Sequence, residues 1–168
     1  MGILKLDLHM HPEEMSSFEP VSVTVVKRVL DSAVDHGLDG IAVTEHENLV
    51  YGQRFVQIVN DHFQHYPLIV LYGQEIKVGY HEIVEINLPR AGIFRFLAHP
   101  ATFIELNNTI MGIEIENGMH YVSRRHVNEM LEITPGLLTL HNSDAHHFED
   151  IGTVYNELTW EDLVSRVR

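Results

Sequence analysis

Short runs of apolar residues alternate with longer amphipathic stretches, and this alternation is the strongest constraint on the fold. The runs are rich in Val, Ile and Leu, which favours buried β-strands, while the stretches between them have helical spacing. Strands that alternate with helices are typical of βα units around a parallel sheet or barrel. Seven strands are predicted, at residues 3–9, 40–46, 68–78, 82–88, 94–99, 112–117 and 137–141.

Four helices are predicted between and after these strands. The first is the clearest, because residues 25–34 carry an apolar face at helical spacing and Gly37 follows as a C-terminal stop. A second helix covers residues 55–63, and a third runs from about residue 121 to the Pro-Gly break that begins at 135. Residues 159–162, Thr-Trp-Glu-Asp, resemble a capping box that opens a short final helix.

The length of the chain limits how complete a barrel can be. A chain of 168 residues fits one domain, residues 1–168, with a sizeable core. An eight-unit α/β barrel usually takes about 250 residues. Any barrel here must therefore be trimmed, with short loops and missing helices.

Composition narrows the compartment and the chemistry. No segment approaches the roughly 20 apolar residues of a membrane span, and the N-terminus leads into a strand pattern rather than a secretory signal. We therefore expect a soluble, cytoplasmic protein without a membrane partner. The absence of cysteine excludes disulfides, thiolate metal sites and cysteine nucleophiles, which leaves histidine and carboxylates for metal or acid-base chemistry.

The net charge of -13 argues against a nucleic-acid partner, because no surplus of Lys and Arg is available to neutralise phosphates. Carboxylates that bind metal contribute to this charge, and three divalent ions would change it from -13 to about -7. Histidine is unusually frequent, with 13 residues, and several of them lie where predicted strands end.

The segment Asp7-Leu8-His9-Met10-His11 places two imidazoles on one side of a strand, because side chains alternate between its faces. A metal ion needs further ligands than these two. Other histidines and acids follow later predicted strands, and the carboxyl ends of parallel barrel strands meet at one face. These segments are Thr44-Glu45-His46, Gly73-Gln74-Glu75 with His81 after a turn, Leu97-Ala98-His99-Pro100, and Asn142-Ser143-Asp144-Ala145-His146.

Each of these residues has an ordinary structural explanation when it is taken alone. His99 can simply end a strand, Glu75 can be a salt-bridge partner, and Asp144 can cap the segment that follows it. Burying so many ionisable groups together is costly unless they are paired or bind a metal. Their joint placement therefore predicts a metal centre.

In this order the segments resemble the motif series of PHP (polymerase and histidinol phosphatase) domains: His-x-His, Thr-Asp/Glu-His, Gly-x-Glu, His, His-Pro and Ser-Asp-x-His. The resemblance covers nearly the whole chain. It implies a trimmed, distorted (β/α)7 barrel with mostly parallel strands and two or three metals at the C-terminal ends of the strands. It also implies a metal-dependent phosphoesterase.

Carried over residue by residue, the resemblance implies metal sites that share ligands, with Glu75 as the bridge between two of them. The implied ligands are His9, His11, Glu75 and Asp144 for the first metal, Glu75, His81 and His99 for the second, and His46 and His146 for the third.

The third metal needs one more ligand, from the loop after His11. The family commonly places Asp or His five or six residues after the second motif histidine, where this chain has Ser16 and Ser17. Glu14 or Glu19 can substitute, and Glu14 is preferred. Position 45 carries Glu where Asp is commoner, and we interpret it as a group that orients a metal ligand from behind.

Several polar residues are left outside the predicted site. Glu116 and Asn117 resemble a family stretch but are given no role. Seven histidines match no motif position: His36, His62, His65 and His126 on predicted helices, and His120, His141 and His147 nearer the site.

Imidazole and carboxylate ligands suit zinc, manganese or iron. Two such ions, roughly 3.5 to 4 Å apart, can bind a phosphate oxygen, activate water and stabilise the leaving oxygen. The sequence contains no Ser-His-Asp arrangement, P-loop or dinucleotide-binding glycine motif that competes with this chemistry. The predicted nucleophile is therefore metal-bound hydroxide rather than a side chain.

The short loops predict an open pocket and a small or partly exposed substrate, such as a phosphorylated metabolite or nucleotide. Arg124 is the candidate substrate-binding residue, and Arg125 and Lys77 have a similar claim. Two alternatives stay open: an amidohydrolase-like enzyme that cleaves a C–N bond with the same metals, and a non-catalytic module in which metals stabilise the fold. An open coordination position favours catalysis, and a saturated one favours the module.

Overall fold

The computed structural model describes residues 2–167, so Met1 and Arg168 of the predicted domain lie outside the described residues. The strands are β1 (Leu4–Asp7), β2 (Gly40–Val43), β3 (Ile69–Val78), β4 (His81–Leu88), β5 (Gly92–Leu97), β6 (Gly112–Asn117), β7 (Leu138–Asn142) and β8 (Asn156–Leu158). The helices are α1 (Pro12–Met15), α2 (Val23–Asp35), α3 (Leu49–His62), α4 (Arg124–Ile133) and α5 (Trp160–Val164).

The eight strands form one barrel-like sheet in the order β7-β6-β5-β4-β3-β2-β1-β8. The predicted mixed α/β fold with a trimmed barrel is confirmed at this level. Four neighbouring pairs are parallel, and three are antiparallel, namely β3–β4, β4–β5 and β1–β8. The sheet therefore mixes parallel units with an antiparallel meander.

The meander follows from the length of the connections. Two residues join β3 to β4, and three join β4 to β5. A parallel crossover needs a dozen or more residues, so these strands can pair only as hairpins. Gly79, at a φ of 66°, supplies the left-handed residue of the first turn. Among the described residues, helices of more than four residues connect β1 to β2, β2 to β3 and β6 to β7.

The predicted helices are present, with bounds set by their caps. The Ser22 side chain accepts a hydrogen bond from the Val25 amide at the start of α2. Ser123 caps α4, which therefore begins later than the sequence predicted. The capping box at α5 is confirmed, because Thr159 and Asp162 exchange both hydrogen bonds. None of the helices that the structure describes is long and apolar enough to cross a membrane.

A core cluster shows that the sheet is strongly curved. It combines buried side chains from strands all along the sheet order: Leu6, Leu71, Ile86, Phe96 and Leu140. In a flat sheet, strands as distant as β1 and β5 do not share one core. A second cluster packs α2 and α3 against the sheet, and a third packs α4 against β6.

The side chain of Asn156 joins the two ends of the sheet. Its Nδ2 lies 3.0 Å from the Leu6 carbonyl oxygen, 2.7 Å from the His141 carbonyl oxygen and 2.8 Å from Asn142 Oδ1. Its Oδ1 accepts a hydrogen bond of 2.9 Å from the His141 amide. The eighth strand, too short to be predicted, thus connects β1 to β7 through one buried amide side chain.

Asn156→Ala is expected to lower the free energy of unfolding by about 2–4 kcal/mol, because it leaves buried backbone groups without partners. Chemical denaturation with circular dichroism measures this loss. Glu157→Ala, at the exposed neighbouring position, is the matched control and should change stability by less than about 0.5 kcal/mol. Equal stability of the two variants would show that Asn156 does not close the barrel.

Candidate metal centre

The predicted metal ligands, except His81, come together at one end of the barrel. β1 continues beyond Asp7 as an irregular strand, where Met10 forms a parallel bridge with Ala145. His46 forms a similar bridge with Glu75. The first bridge holds the segment after β1 beside the segment after β7, and the second holds the segment after β2 beside β3. The histidines and acids of these four parts of the chain therefore lie at the same end of the barrel.

The centre of the cluster consists of His9, His11, Glu75 and Asp144, which are at most 2% exposed. The Nε2 atoms of His9 and His11 lie 3.1 Å apart. Asp144 Oδ1 lies 3.1 Å from His11 Nε2 and 3.5 Å from His9 Nε2. Glu75 Oε1 lies 3.2 Å from His9 Nε2.

These distances fit a shared metal ion. Ligand atoms about 2.0–2.1 Å from a tetrahedral metal lie about 3.3 Å from one another. His9, His11 and Asp144 form one group whose ligand atoms meet this spacing to within a few tenths of an ångström. Asp144 Oδ1 is also buried without a hydrogen-bond partner. A cation at this position would supply the partner that the oxygen lacks.

Three further groups of possible ligands surround this centre and share residues with it. His11, His46 and Asp144 each belong to two of the four groups and so connect them. The groups are His11, His46 and His146; His99, His120 and Asp144; and His46, Glu75 and Glu82. The cluster can therefore hold more than one metal ion.

The charges of the central residues depend on each other. Burial opposes ionisation, but His9 and its histidine neighbours hold the pKa values of Glu75 and Asp144 well below their usual range. Burial also opposes protonation of His9, yet Asp144, Glu75 and Glu114 raise its pKa well above the ordinary value. A positive charge is thus favoured at His9, and the carboxylates of Glu75 and Asp144 stay ionised and able to bind metal.

His11 differs from His9 because burial dominates its environment. Burial lowers the pKa of His11 to about 4. The imidazole is therefore neutral at physiological pH, as metal binding requires.

Glu114 lies behind the cluster and orients His9, and sequence reasoning missed it. It is fully buried, and its Oε1 lies 3.0 Å from His9 Nδ1, so the Nε2 of His9 faces the other ligands. Its Oε2 accepts hydrogen bonds from the His99 amide and from Asn117 Nδ2. Asn117 also donates to Asp144 Oδ2. The available signal was a charged residue between two isoleucines of a buried strand.

Glu45 lies behind His11, where the sequence placed an orienting group. Its Oε2 is 3.9 Å from His11 Nδ1, a buried atom without a hydrogen-bond partner. Its Oε1 accepts a hydrogen bond of 2.7 Å from the Glu13 amide in α1. Through this hydrogen bond Glu45 also anchors α1, the helix that carries Glu14. Burial raises the pKa of Glu45 to about 9.

Glu14, rather than Glu19, reaches the candidate third site. Its Oε1 lies 3.4 Å from His46 Nε2, and its Oε2 lies 3.8 Å from His146 Nε2. Glu19 is exposed in the loop beyond α1. His146 Nδ1 donates to the Asp144 carbonyl oxygen, which directs its Nε2 towards this site.

The structure places Glu82, and not His81, in the cluster. In the β3–β4 pairing His81 is opposite Val78, whereas Glu82 is opposite Lys77. Neighbouring residues of a strand face opposite sides, and Glu82 is the one that faces the barrel end. Its Oε2 lies 3.6 Å from His99 Nε2. The predicted role of His81 as a ligand is therefore corrected in favour of Glu82.

His120 is a second residue that the sequence left without a role. Its Nδ1 lies 2.8 Å from Asp144 Oδ2, and its ring packs on that of His99 with centroids 4.6 Å apart. The segment after β6 brings it there, because the amides of Met119 and His120 bond to the Asn117 side chain. Nothing in the motif series marks this position.

Arg124 does not reach the metal cavity. It begins α4 and lines a separate cleft with Glu116 and His141. The cavity above the metal ligands has a volume of about 450 Å³ and is lined by Glu14, His46, Glu47, Glu75, Ile76, Lys77, Glu82, His99, His120 and His146. Of the predicted substrate-binding candidates, the structure thus brings Lys77 to the site and leaves Arg124 outside it.

Several backbone positions at the site are strained. His99 has a φ of 24°, Asp144 a φ of 52° and Glu47 a φ of 49°, all in the left-handed region. Such conformations cost about 1–3 kcal/mol each and gather at functional sites. The strain at His99 and Asp144 supports a role beyond packing for these two residues.

Comparisons with known proteins show a shared fold. No family model matches the chain, and no curated protein matches it significantly. The crystal structure of PsfC from Pseudomonas syringae PB-5123 is similar, with a TM-score of 0.67 and 18% sequence identity. The similarity covers 98% of this chain and 89% of that chain. The barrel-like fold is therefore one that a solved protein also adopts over most of its length.

The variants Glu82→Gln and His81→Gln test the placement of these two neighbours. Glu82→Gln should bind less metal than the wild type, because it removes a carboxylate ligand beside His99 and Glu75. His81→Gln is the matched control and should keep the wild-type metal content. Elemental analysis after metal loading and dialysis measures both. Loss of metal from the His81 variant alone would contradict the placement.

Proposed function

We propose that this chain is a metal-dependent phosphoric ester hydrolase of the PHP type, built on a trimmed and distorted (β/α)7 barrel. The observation that carries the proposal is the position of Glu75. Its Oε1 lies 3.2 Å from both His9 and His99, and its Oε2 lies 2.8 Å from His46 Nδ1. One carboxylate thus faces ligands of neighbouring groups, which is the arrangement of a bridging ligand.

A shared carboxylate supports a centre with two or three divalent ions. The donors are imidazoles and carboxylates, which suit zinc, manganese or iron. When bound, paired divalent ions supply Lewis-acid activation of water and of a phosphate group. The proposed ligands are His9, His11, Glu14, His46, Glu75, Glu82, His99, His120, Asp144 and His146.

The protein's own residues hold this set in place. Glu114 directs the Nε2 of His9 towards the cluster, and Asn117 holds Asp144 through its Oδ2. Asp7 is fully buried and accepts hydrogen bonds from the hydroxyl and amide of Ser143, which fixes the segment that carries Asp144. Preorganisation of this kind is what a hydrolytic centre requires.

The openness of the site supports catalysis over a purely structural metal site. The side chain of His46 is 47% exposed and that of His120 is 52% exposed. The carboxylates that they contact, Glu75 and Asp144, are buried. Structural metal sites are closed by protein ligands, whereas catalytic sites keep a position open to substrate. The cavity of about 450 Å³ has room for a small phosphate ester.

We further propose that the substrate is a small phosphorylated metabolite or nucleotide and that the enzyme acts in the cytoplasm without a nucleic-acid or membrane partner. The cavity is small, and it is lined by four glutamates, four histidines, Ile76 and Lys77. A polyanionic strand would meet repulsion at such a surface.

Metal-loaded wild-type protein should hydrolyse 4-nitrophenyl phosphate, lose this activity on chelation and regain it when metal is restored. Glu75→Gln should lower kcat by about 100-fold or more, because it removes the proposed bridging carboxylate. Glu132→Gln, at an exposed position of α4, is the control and should be as active as the wild type.

Two results would contradict the proposed function. Metal-loaded protein that cleaves no phosphate ester but does cleave an amide or amidine would favour the C–N hydrolase. Metal-loaded protein that cleaves neither, with the melting temperature lowered by chelation, would favour the structural module.

A further inference from the structure

We infer that Lys77 is the substrate-binding residue of the cavity, and that it binds a non-bridging oxygen of the substrate phosphate. The inference rests on the proposed function and specifies how the phosphate is held. Lys77 is the only lysine or arginine among the described residues that line the cavity. A phosphate dianion that enters the cavity therefore meets one lysine ammonium and no arginine guanidinium.

The position of Lys77 places its ammonium beside the metal ligands. Lys77 lies two residues after Glu75 in β3, so both side chains are on the same face of the strand. Its Nζ is 3.7 Å from Glu82 Oε1, and the other oxygen of that carboxylate is 3.6 Å from His99 Nε2. Lys77 thus lies beside Glu82, which is itself a member of the ligand cluster.

Lys77 is only loosely held by its protein neighbours. Its side chain is 71% exposed, and the distance of 3.7 Å to Glu82 is too long for a hydrogen bond. Lys27 on α2 offers a contrast, because its Nζ lies 2.6 Å from Asp31 and forms a hydrogen bond. The ammonium of Lys77 therefore keeps its hydrogen-bond donors available for a ligand.

The charge of the lining gives Lys77 its importance. Glu14, Glu47, Glu75 and Glu82 line the same cavity. Metal ions bound by Glu14, Glu75 and Glu82 would offset those carboxylates, but a phosphate monoester brings about two further negative charges at neutral pH. A flexible lysine at the edge of the cluster can move towards the bound phosphate and donate hydrogen bonds to it. The positive charge of one lysine and the bound metal ions suits an ester with a single phosphate and an otherwise uncharged leaving group.

The test compares wild type, Lys77→Gln, Lys77→Arg and the control Lys27→Gln, all loaded with the same metal. Lys77→Gln should raise KM for 4-nitrophenyl phosphate by about tenfold, the lower end of what a hydrogen bond to a charged group contributes, while metal content stays unchanged. For bis(4-nitrophenyl) phosphate, which carries one negative charge, the rise should be about threefold or less. Lys77→Arg should restore most of the loss, and Lys27→Gln should match the wild type.

Calorimetric titration with inorganic phosphate provides a readout that does not depend on turnover. Its Kd should be weakened by about tenfold in Lys77→Gln. If the wild type cleaves no ester but the Lys77 variant still loses phosphate affinity, the proposed function fails and the assignment of Lys77 stands. If KM and Kd are unchanged in Lys77→Gln, or if both esters are affected equally, the assignment of Lys77 is overturned.

Discussion

The structure depends on the burial of ionisable side chains at one end of the barrel. His9, His11, Glu75, Glu114 and Asp144 are at most 2% exposed, and removing ionised groups from water costs several kcal/mol for each. Pairing between histidines and carboxylates offsets this cost in part, and it also keeps the carboxylates ionised. Asp144 Oδ1 still has no hydrogen-bond partner. A cation bound among these imidazoles and carboxylates would compensate for the remaining cost.

The trimmed barrel serves the site as well as the core. The β3–β4 hairpin brings Glu75, Lys77 and Glu82 to one face of two adjacent strands. At the other side of the barrel, Asn156 joins β8 to β7 and Asp7 fixes the segment that begins at Ser143. Short turns thus connect β3, β4 and β5, and polar side chains at the strand ends help to close the barrel.

Sequence reasoning predicted the residue types of the site better than their register. Periodicity and strand-end motifs were sufficient to predict that these side chains lie close together, because each follows or lies near the end of a predicted strand: His9, His11, His46, Glu75, His99, Asp144 and His146. His81 was assigned in place of Glu82 because a motif order does not fix which residue of a hairpin faces the barrel. Glu114 was marked only by its charge within a buried strand, and its contact with His9 is long-range. His120 reaches the site through a long-range contact with Asp144 that no local pattern encodes.

The central claim is that Glu75 and Asp144 hold neighbouring metal ions. Electron paramagnetic resonance of protein loaded with increasing amounts of Mn²⁺ tests it most directly, because ions that share a bridging carboxylate are magnetically coupled. The account predicts that the six-line signal of isolated Mn²⁺ is replaced by a coupled signal as the second equivalent binds, and that Glu75→Gln prevents this change. A six-line signal that only grows with each equivalent, or that appears with one equivalent and then saturates, would contradict the account.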